Sequence, residues 1–460
     1  MDFLLSMKRN KKAPVKNVEG TMEVGVAQVD ITPATPIRLS GFAARAKSET
    51  DKVIRKLYAK ALALGSDAQG PSLLITVDLI GIQWRTTSRI VELLAKKMGI
   101  RPAQIAICVT HTHGSPEVGC LISHLQCRGD YPNNYHFSDS LLELDQLIHI
   151  AQYTEGLVKK LEEVALAALK NRKPALVAWG RGQAFFAENR RTVGGPVDLS
   201  LPVLRVTSPD GTLRAVWVNY ACHGIALGPD VNAMHGDWMG AAQEAIETKH
   251  PGAIVLVSIG CAGDSHPRLR DKMEYIKVYG QEISDSVDKL LKSKLQFLTK
   301  PPVGRMKWVK LPFAKTPTVP ELIEQTKDTG IKGYYARLAL DRIQRGAALP
   351  TALNYLIQTW QFGNKMLMIN LGGEVVADYS VRLRKELKED SLWMNAYTND
   401  VSCYIASRRV IKEGGYEADT SMYWYDQPSP FSEEIEAIII DAIKEITPAV
   451  FKKKERVWIK

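Results

Sequence analysis

The run Ile105-Ala106-Ile107-Cys108-Val109-Thr110-His111-Thr112-His113-Gly114-Ser115-Pro116 decides how the rest of the chain is read. Its first half is short, apolar and β-rich, the pattern of a buried strand. Gly114 and Pro116 end it, so both histidines fall at the strand's carboxyl end. In open α/β sheets that edge is where ligands bind. In His-X-His the two imidazoles share one face if the strand continues, and one rim if it bends. Neutral imidazole is a good zinc ligand. A strand-end histidine pair can also be simply hydrogen-bonded, so the surrounding chain has to decide.

Upstream, 24–31 alternates like a strand and stops at Pro33. Residues 58–64 and 72–79 read as two more strands, and 85–98 as a helix that Gly99 ends. Downstream, 117–145 reads as a long polar loop, the kind that serves as a specificity element or lid. An amphipathic helix over 147–170 follows, then a strand over 175–186. Residues 201–207 and 213–220 form a hairpin around Asp210-Gly211, a favoured turn pair. A helix is expected over 237–249, a buried strand over 253–258 and a helix over 277–292. The pattern continues with a helix over 319–346, paired strands at 355–362 and 366–371, a helix over 378–388, short strands at 393–397 and 403–405, and a last helix over 431–446. Strands and helices intermingle to the end. The expected fold is therefore α/β: mixed β-sheets with flanking helices in one large domain, with a metal site at strand carboxyl ends. Residues 1–20 read as a basic flexible arm, 21–447 as the domain and 448–460 as a basic tail.

Composition narrows the function. A 45% hydrophobic and 24% charged chain can build a large core without spanning a membrane. The net charge of +10 comes partly from basic runs at both ends. No aromatic-interleaved basic motif accompanies them, so no nucleic acid is expected as a partner. No apolar stretch reaches transmembrane length. The six cysteines lack CxxC spacing and are not a disulfide framework. Free cysteines and the lack of a signal-like start favour a cytoplasmic setting, with export left open.

Several expected strands end in glycine-flanked polar residues: His111 and His113, Cys222-His223-Gly224, Gly263-Asp264-Ser265-His266-Pro267, and Gly372-Gly373-Glu374. Two or three histidines with one carboxylate form a common catalytic zinc set. Zinc-bound water ionises near neutral pH, which points to a hydrolase.

These segments resemble, in order along residues 22–430, the catalytic domain of the neutral/alkaline, non-lysosomal ceramidases. The resemblance runs through Gly25 to Pro33, Ser40-Gly41-Phe42-Ala43, Thr110-His111-Thr112-His113, Glu188-Asn189-Arg190-Arg191, Asn219 to Gly224, His235-Gly236-Asp237-Trp238, Gly263 to Pro267, Gly373-Glu374, Tyr404, and Tyr416-Glu417. It implies one Zn2+ per chain on His111, His223, Glu374 and Tyr404. It implies His113, Arg190 and Tyr416 around a substrate carbonyl, with His113 handling a proton and Tyr416 and Arg190 stabilising the oxyanion. The substrate class implied is a small-molecule or lipid-like N-acyl compound, cleaved at its amide by metal-activated water. On their own, Glu374 can pair with an arginine and Tyr404 can be a core tyrosine with a bonded hydroxyl. Asp264 is expected to order its turn, and His235 to stay out of the ligand set.

Two departures matter. His266 stands at the family's serine position, with Ser265 one place earlier, so His266 or Ser265 is expected to act as an auxiliary donor. Nothing after about residue 447 is long enough for the family's C-terminal β-sandwich. Rival readings are a zinc hydrolase of an ester or glycoside, and a non-catalytic relative. The oligomeric state leaves no mark in the sequence.

Overall fold

Side-chain alternation along the strands sorts the core into two layers. In Ser72–Val77, Leu73, Ile75 and Val77 join the helix-facing core, while Leu74 joins a second one. In Ile105–Val109 the odd residues face the helices, and Ala106 and Cys108 face the other way. Both faces of the sheet are thus covered, as the continuous apolar runs require. The computed structural model describes residues 20–45, 48–119 and 142–453.

The main sheet has nine strands. Across it run Ile254–Ile259, Leu213–Tyr220, Ser200–Thr207, Lys173–Gln183, Met22–Asp30, Tyr58–Leu64, Ser72–Val77 and Ile105–Val109, with Gln296–Leu298 also on Lys173–Gln183. Inner neighbours pair antiparallel. The outermost pairs, Ser72–Val77 with Ile105–Val109 and Leu213–Tyr220 with Ile254–Ile259, are parallel. Helices Trp84–Met98, Leu144–Lys170, Asp237–Lys249 and Met273–Leu291 contribute to the core on one face. A four-stranded sheet covers the other: Val303–Pro312, Ala352–Phe362, Met366–Leu371 and Leu392–Asn395. Trp217 and Trp393 meet there at 4.5 Å between ring centroids. No helix among the described residues is long and apolar enough to cross a membrane.

The segment after Leu392–Asn395 clasps both outer strands of the main sheet. Ala396 N donates to Ile259 O, Val109 N to Tyr397 O and Asn399 N to Ile107 O. The ends of Ile105–Val109 and Ile254–Ile259, far apart in strand order, therefore meet over one point. The chain leaves Met366–Leu371 at the same place.

The expected α/β architecture of mixed sheets and flanking helices is observed. Three local expectations need correction. The single helix over 319–346 is two, Val319–Gln325 and Ile331–Gln344, because the polar Thr326 to Gly330 break interrupts the apolar period. The strand Val303–Pro312, with Trp308 and Lys310 exposed and Lys307 and Val309 half-buried, is not among the expected elements; it is an edge strand whose basic residues mask its period. The segment from 448 is not purely tail, since Phe451 is buried and Lys452 bridges to Leu387. Of the long polar loop, 120–141 lies outside the described residues, as does the arm over 1–19.

Candidate metal and active site

His111 follows the strand Ile105–Val109 and adopts φ 55°, the left-handed region that non-glycine residues avoid. The strand therefore does not continue through His-X-His; it bends, and the two rings meet edge-on at 5.1 Å. The turn is held because Thr112 bridges to Gly224, directly after His223. A Cβ on Gly224 would stand 2.5 Å from His111 O, so only glycine lets the two histidine segments approach. His223 N donates to Ser265 O, and Trp238 Nε1 donates to His223 O.

The ring nitrogens are fixed by carbonyls, which can only accept. His111 Nδ1 donates to Ile80 O at 2.6 Å, and His223 Nδ1 donates to Ala262 O at 2.9 Å. In the neutral imidazole this tautomer leaves Nε2 as the lone pair. The two Nε2 atoms lie 2.9 Å apart. Glu374 Oε2 lies 3.1 Å from the first and 3.2 Å from the second. All three side chains are buried. Burial pushes the Glu374 carboxyl up, but His111 and His223 outweigh it and hold it well below the usual carboxylate range. Two imidazole nitrogens and one carboxylate oxygen thus converge on one point. Burial, then His111, push His223 down to about 4. The donor set fits a divalent cation.

Glu374 reaches this point because Gly373, at φ 73°, packs against Cys403 O and Ile405. The carboxylate's other oxygen, Oε1, accepts from Tyr425 Oη. Tyr404 is the parallel cross-strand partner of Glu374. Its ring is parallel to that of His223 at 6.5 Å, and its hydroxyl accepts from Arg190 Nη2 at 3.0 Å. Arg190 Nε donates to Glu417 at 2.7 Å, and Arg191 donates to the other Glu417 oxygen. The neighbouring arginines separate here: Arg190 turns to Tyr404, whereas Arg191 reaches Gly414 O. Tyr416 stands 5.6 Å from the Tyr404 ring and is half exposed.

His113 completes a group of three histidines whose ligand atoms lie within 4.8 Å of one another. Both its ring nitrogens are buried without a hydrogen-bond partner. Burial, then His111 and His223, hold it well below the ordinary histidine range, so it is a neutral imidazole. Phe42 packs on it at 4.7 Å, and buried Arg45 donates to its backbone carbonyl.

Ser265 and His266 diverge, as strand alternation dictates. Ser265 is buried and its hydroxyl has no partner, whereas His266 pairs with Glu188 at 3.1 Å on the partly open side. Asp264 accepts from Ala377 N and Asn189 Nδ2, both at 2.8 Å, and orders the turn. His235 is buried under Gly114 and, as expected, stands outside the histidine group. The sequence reading missed Tyr425, Arg45 and Tyr397, which stands 4.4 Å from His111 at φ 53°. A run of four tyrosines between 404 and 425 was the one available signal.

No protein-family model and no curated protein sequence matches this chain. Solved structures share its fold, two ceramidases among them. One, described as ceramidase complexed with C2, superposes with a TM-score of 0.68 at 14% identity, covering 93% of this chain and 76% of that one. The other, neutral ceramidase from Pseudomonas aeruginosa, has a TM-score of 0.67 at 16% identity, covering 93% of this chain and 75% of that one. The chain has the fold of the neutral ceramidases.

Proposed function

We propose that this chain is a zinc-dependent hydrolase that cleaves the amide bond of an N-acyl substrate. The observation that carries the reading is the convergence of His111 Nε2, His223 Nε2 and Glu374 Oε2, each within 3.2 Å of the other two. The fold shared with two ceramidase structures supports the choice of an amide. His111, His223 and Glu374 would hold one Zn2+ per chain, with Tyr404 as the fourth ligand. When bound, the ion supplies Lewis acidity and lowers the pKa of water toward neutrality.

The remaining roles fall to the chain's own residues. His113 is a neutral imidazole whose N–H and lone-pair nitrogen both lack a hydrogen-bond partner, so the lone pair can accept a proton and return it to the leaving amine. Arg190 is anchored through Glu417 and Tyr404, so its guanidinium is fixed before substrate arrives. With Tyr416 it orients the substrate carbonyl and receives charge developing on its oxygen. Burial of the cluster excludes bulk water and strengthens each of these contacts.

Metal analysis and turnover test the reading together. Purified protein should carry stoichiometric zinc and release amine from a short-chain N-acyl sphingoid base. Chelation should abolish the release, and added zinc should restore it. Absence of stoichiometric zinc, with activity intact in the His111→Ala/His223→Ala double variant, would remove the proposal. Ligand binding without turnover would instead mark a non-catalytic relative.

A further inference from the structure

A cavity of about 540 Å³ is lined by Arg190, Arg191, His266, Arg270 and the Glu413–Glu417 turn, whose Tyr416 ring stands 5.6 Å from that of Tyr404. No aliphatic side chain occurs among its described lining residues. Such walls offer nothing to an acyl chain, which needs contiguous apolar surface. Three guanidinium groups face two carboxylates there, Glu413 and Glu417. Both carboxylates are engaged: Glu417 by Arg190 and Arg191, Glu413 by Arg409 and Arg191. His266 is engaged with Glu188.

Donors remain unanswered. Arg270 has no hydrogen-bond or ion-pair partner among the described residues. Arg191 Nε is buried without an acceptor. A guanidinium carries five N–H donors in a rigid fork, and the spare fork of Arg270, beside the positive charges of Arg190 and Arg191, suits a planar or tetrahedral oxyanion. The backbone that presents Arg270 is fixed on both sides. Arg268 N donates to Phe186 O, Leu269 N to Tyr279 Oη, and Asp271 N to Ala226 O. Arg191 is held along the opposite wall by Gly414 O. The backbone of the cavity wall is therefore fixed, and Arg190 and Tyr416 connect the cavity to Tyr404.

We propose that this cavity binds an oxyanion, a carboxylate or a phosphate monoester, borne by the polar end of the substrate. The inference rests on the amide-hydrolase reading only for the kind of molecule that carries the anion. It makes the preferred substrate an anionic N-acyl compound rather than a neutral one.

Equilibrium binding decides it without turnover. Titration calorimetry on zinc-free and zinc-loaded protein would compare N-hexanoylglycine, N-hexanoyl-O-phosphoethanolamine and neutral N-hexanoylethanolamine. At least one anionic compound should bind about tenfold or more tightly than the neutral one, as expected for a charge-assisted pair. The preference should shrink as salt rises. In Arg270→Ala it should fall to within about twofold while neutral binding holds, and Arg270→Lys should recover part of it. The stronger anion identifies whether carboxylate or phosphate is the natural group. Equal binding of all three, no binding of either anion, or an unchanged preference in Arg270→Ala would overturn the proposal. Loss of hydrolysis with the preference intact would count against the amidase reading alone.

Discussion

Glu374 can face two imidazole lone pairs only because its other oxygen has a donor. Tyr425 Oη supplies it, from a turn some fifty residues downstream. A hydrogen-bonded carboxylate cannot rotate, so Oε2 stays aimed at the two imidazoles. Tyr425→Phe should keep the fold and lower zinc affinity by about 10–100-fold, read by competition with a chromophoric chelator. Unchanged affinity would show that packing alone orients Glu374. His111, His223 and Glu374 were legible because histidine and glutamate beside glycine at strand ends are chemically conspicuous. Tyr425 was not, because a tyrosine in a polar turn carries no pattern of its own. His266 was legible as a departure, yet its direction was not: one position in a strand separates the buried side from the cavity wall.

Among the elements, the helix Asp237–Lys249 supports the site most directly. Asp237 sits at φ 50° and accepts from Ala226 N, Leu227 N and Trp238 N. Trp238 in turn holds His223 O. Burial pushes the Asp237 carboxyl up to about 6 from its ordinary 3.8. The folded chain therefore keeps a proton on this group that the unfolded chain releases. Stability from this source is complete below about pH 4 and is lost as pH rises through about 6, by up to about 3 kcal/mol. Asp237→Asn removes the titration and sets an amide N–H₂ against a backbone N–H, at about 1–3 kcal/mol. Urea unfolding of both proteins from pH 4 to 7 should show their stability difference narrowing as pH rises. A constant difference would mean that Asp237 does not titrate in this window. The helix itself was legible from its apolar period, whereas the contact that gives it this role joins residues ten apart across a turn.

Across the whole molecule, a buried amide network ties the two sheets together just behind the site. Asn395 Oδ1 accepts from Asn219 and Ser258 at 2.8 Å and from Trp393 at 3.0 Å, and its Nδ2 donates to Asn370. Asn370 continues to Gln358, which donates to Ile105 O. Asn395→Ala strands several buried polar groups at once and should cost on the order of 3 kcal/mol or more in urea unfolding. It should also weaken zinc binding, because the clasp at 396–399 starts from this residue. A loss of stability with zinc affinity unchanged would separate the network from the site.

By itself, the sequence determined the α/β class, most strands and helices, and the strand-end residues able to bind a metal. Periodicity and chemical type are local properties, readable within a dozen residues. Only the tertiary structure decided that two outer strands of one sheet meet at a clasp, that His111 leaves its strand at a left-handed turn, and that Tyr425 orients Glu374. It also decided that the wall beside the cluster is cationic rather than apolar. Those facts rest on contacts between residues tens to hundreds of positions apart, where the closing of the sheets, not any local preference, sets which side chains meet.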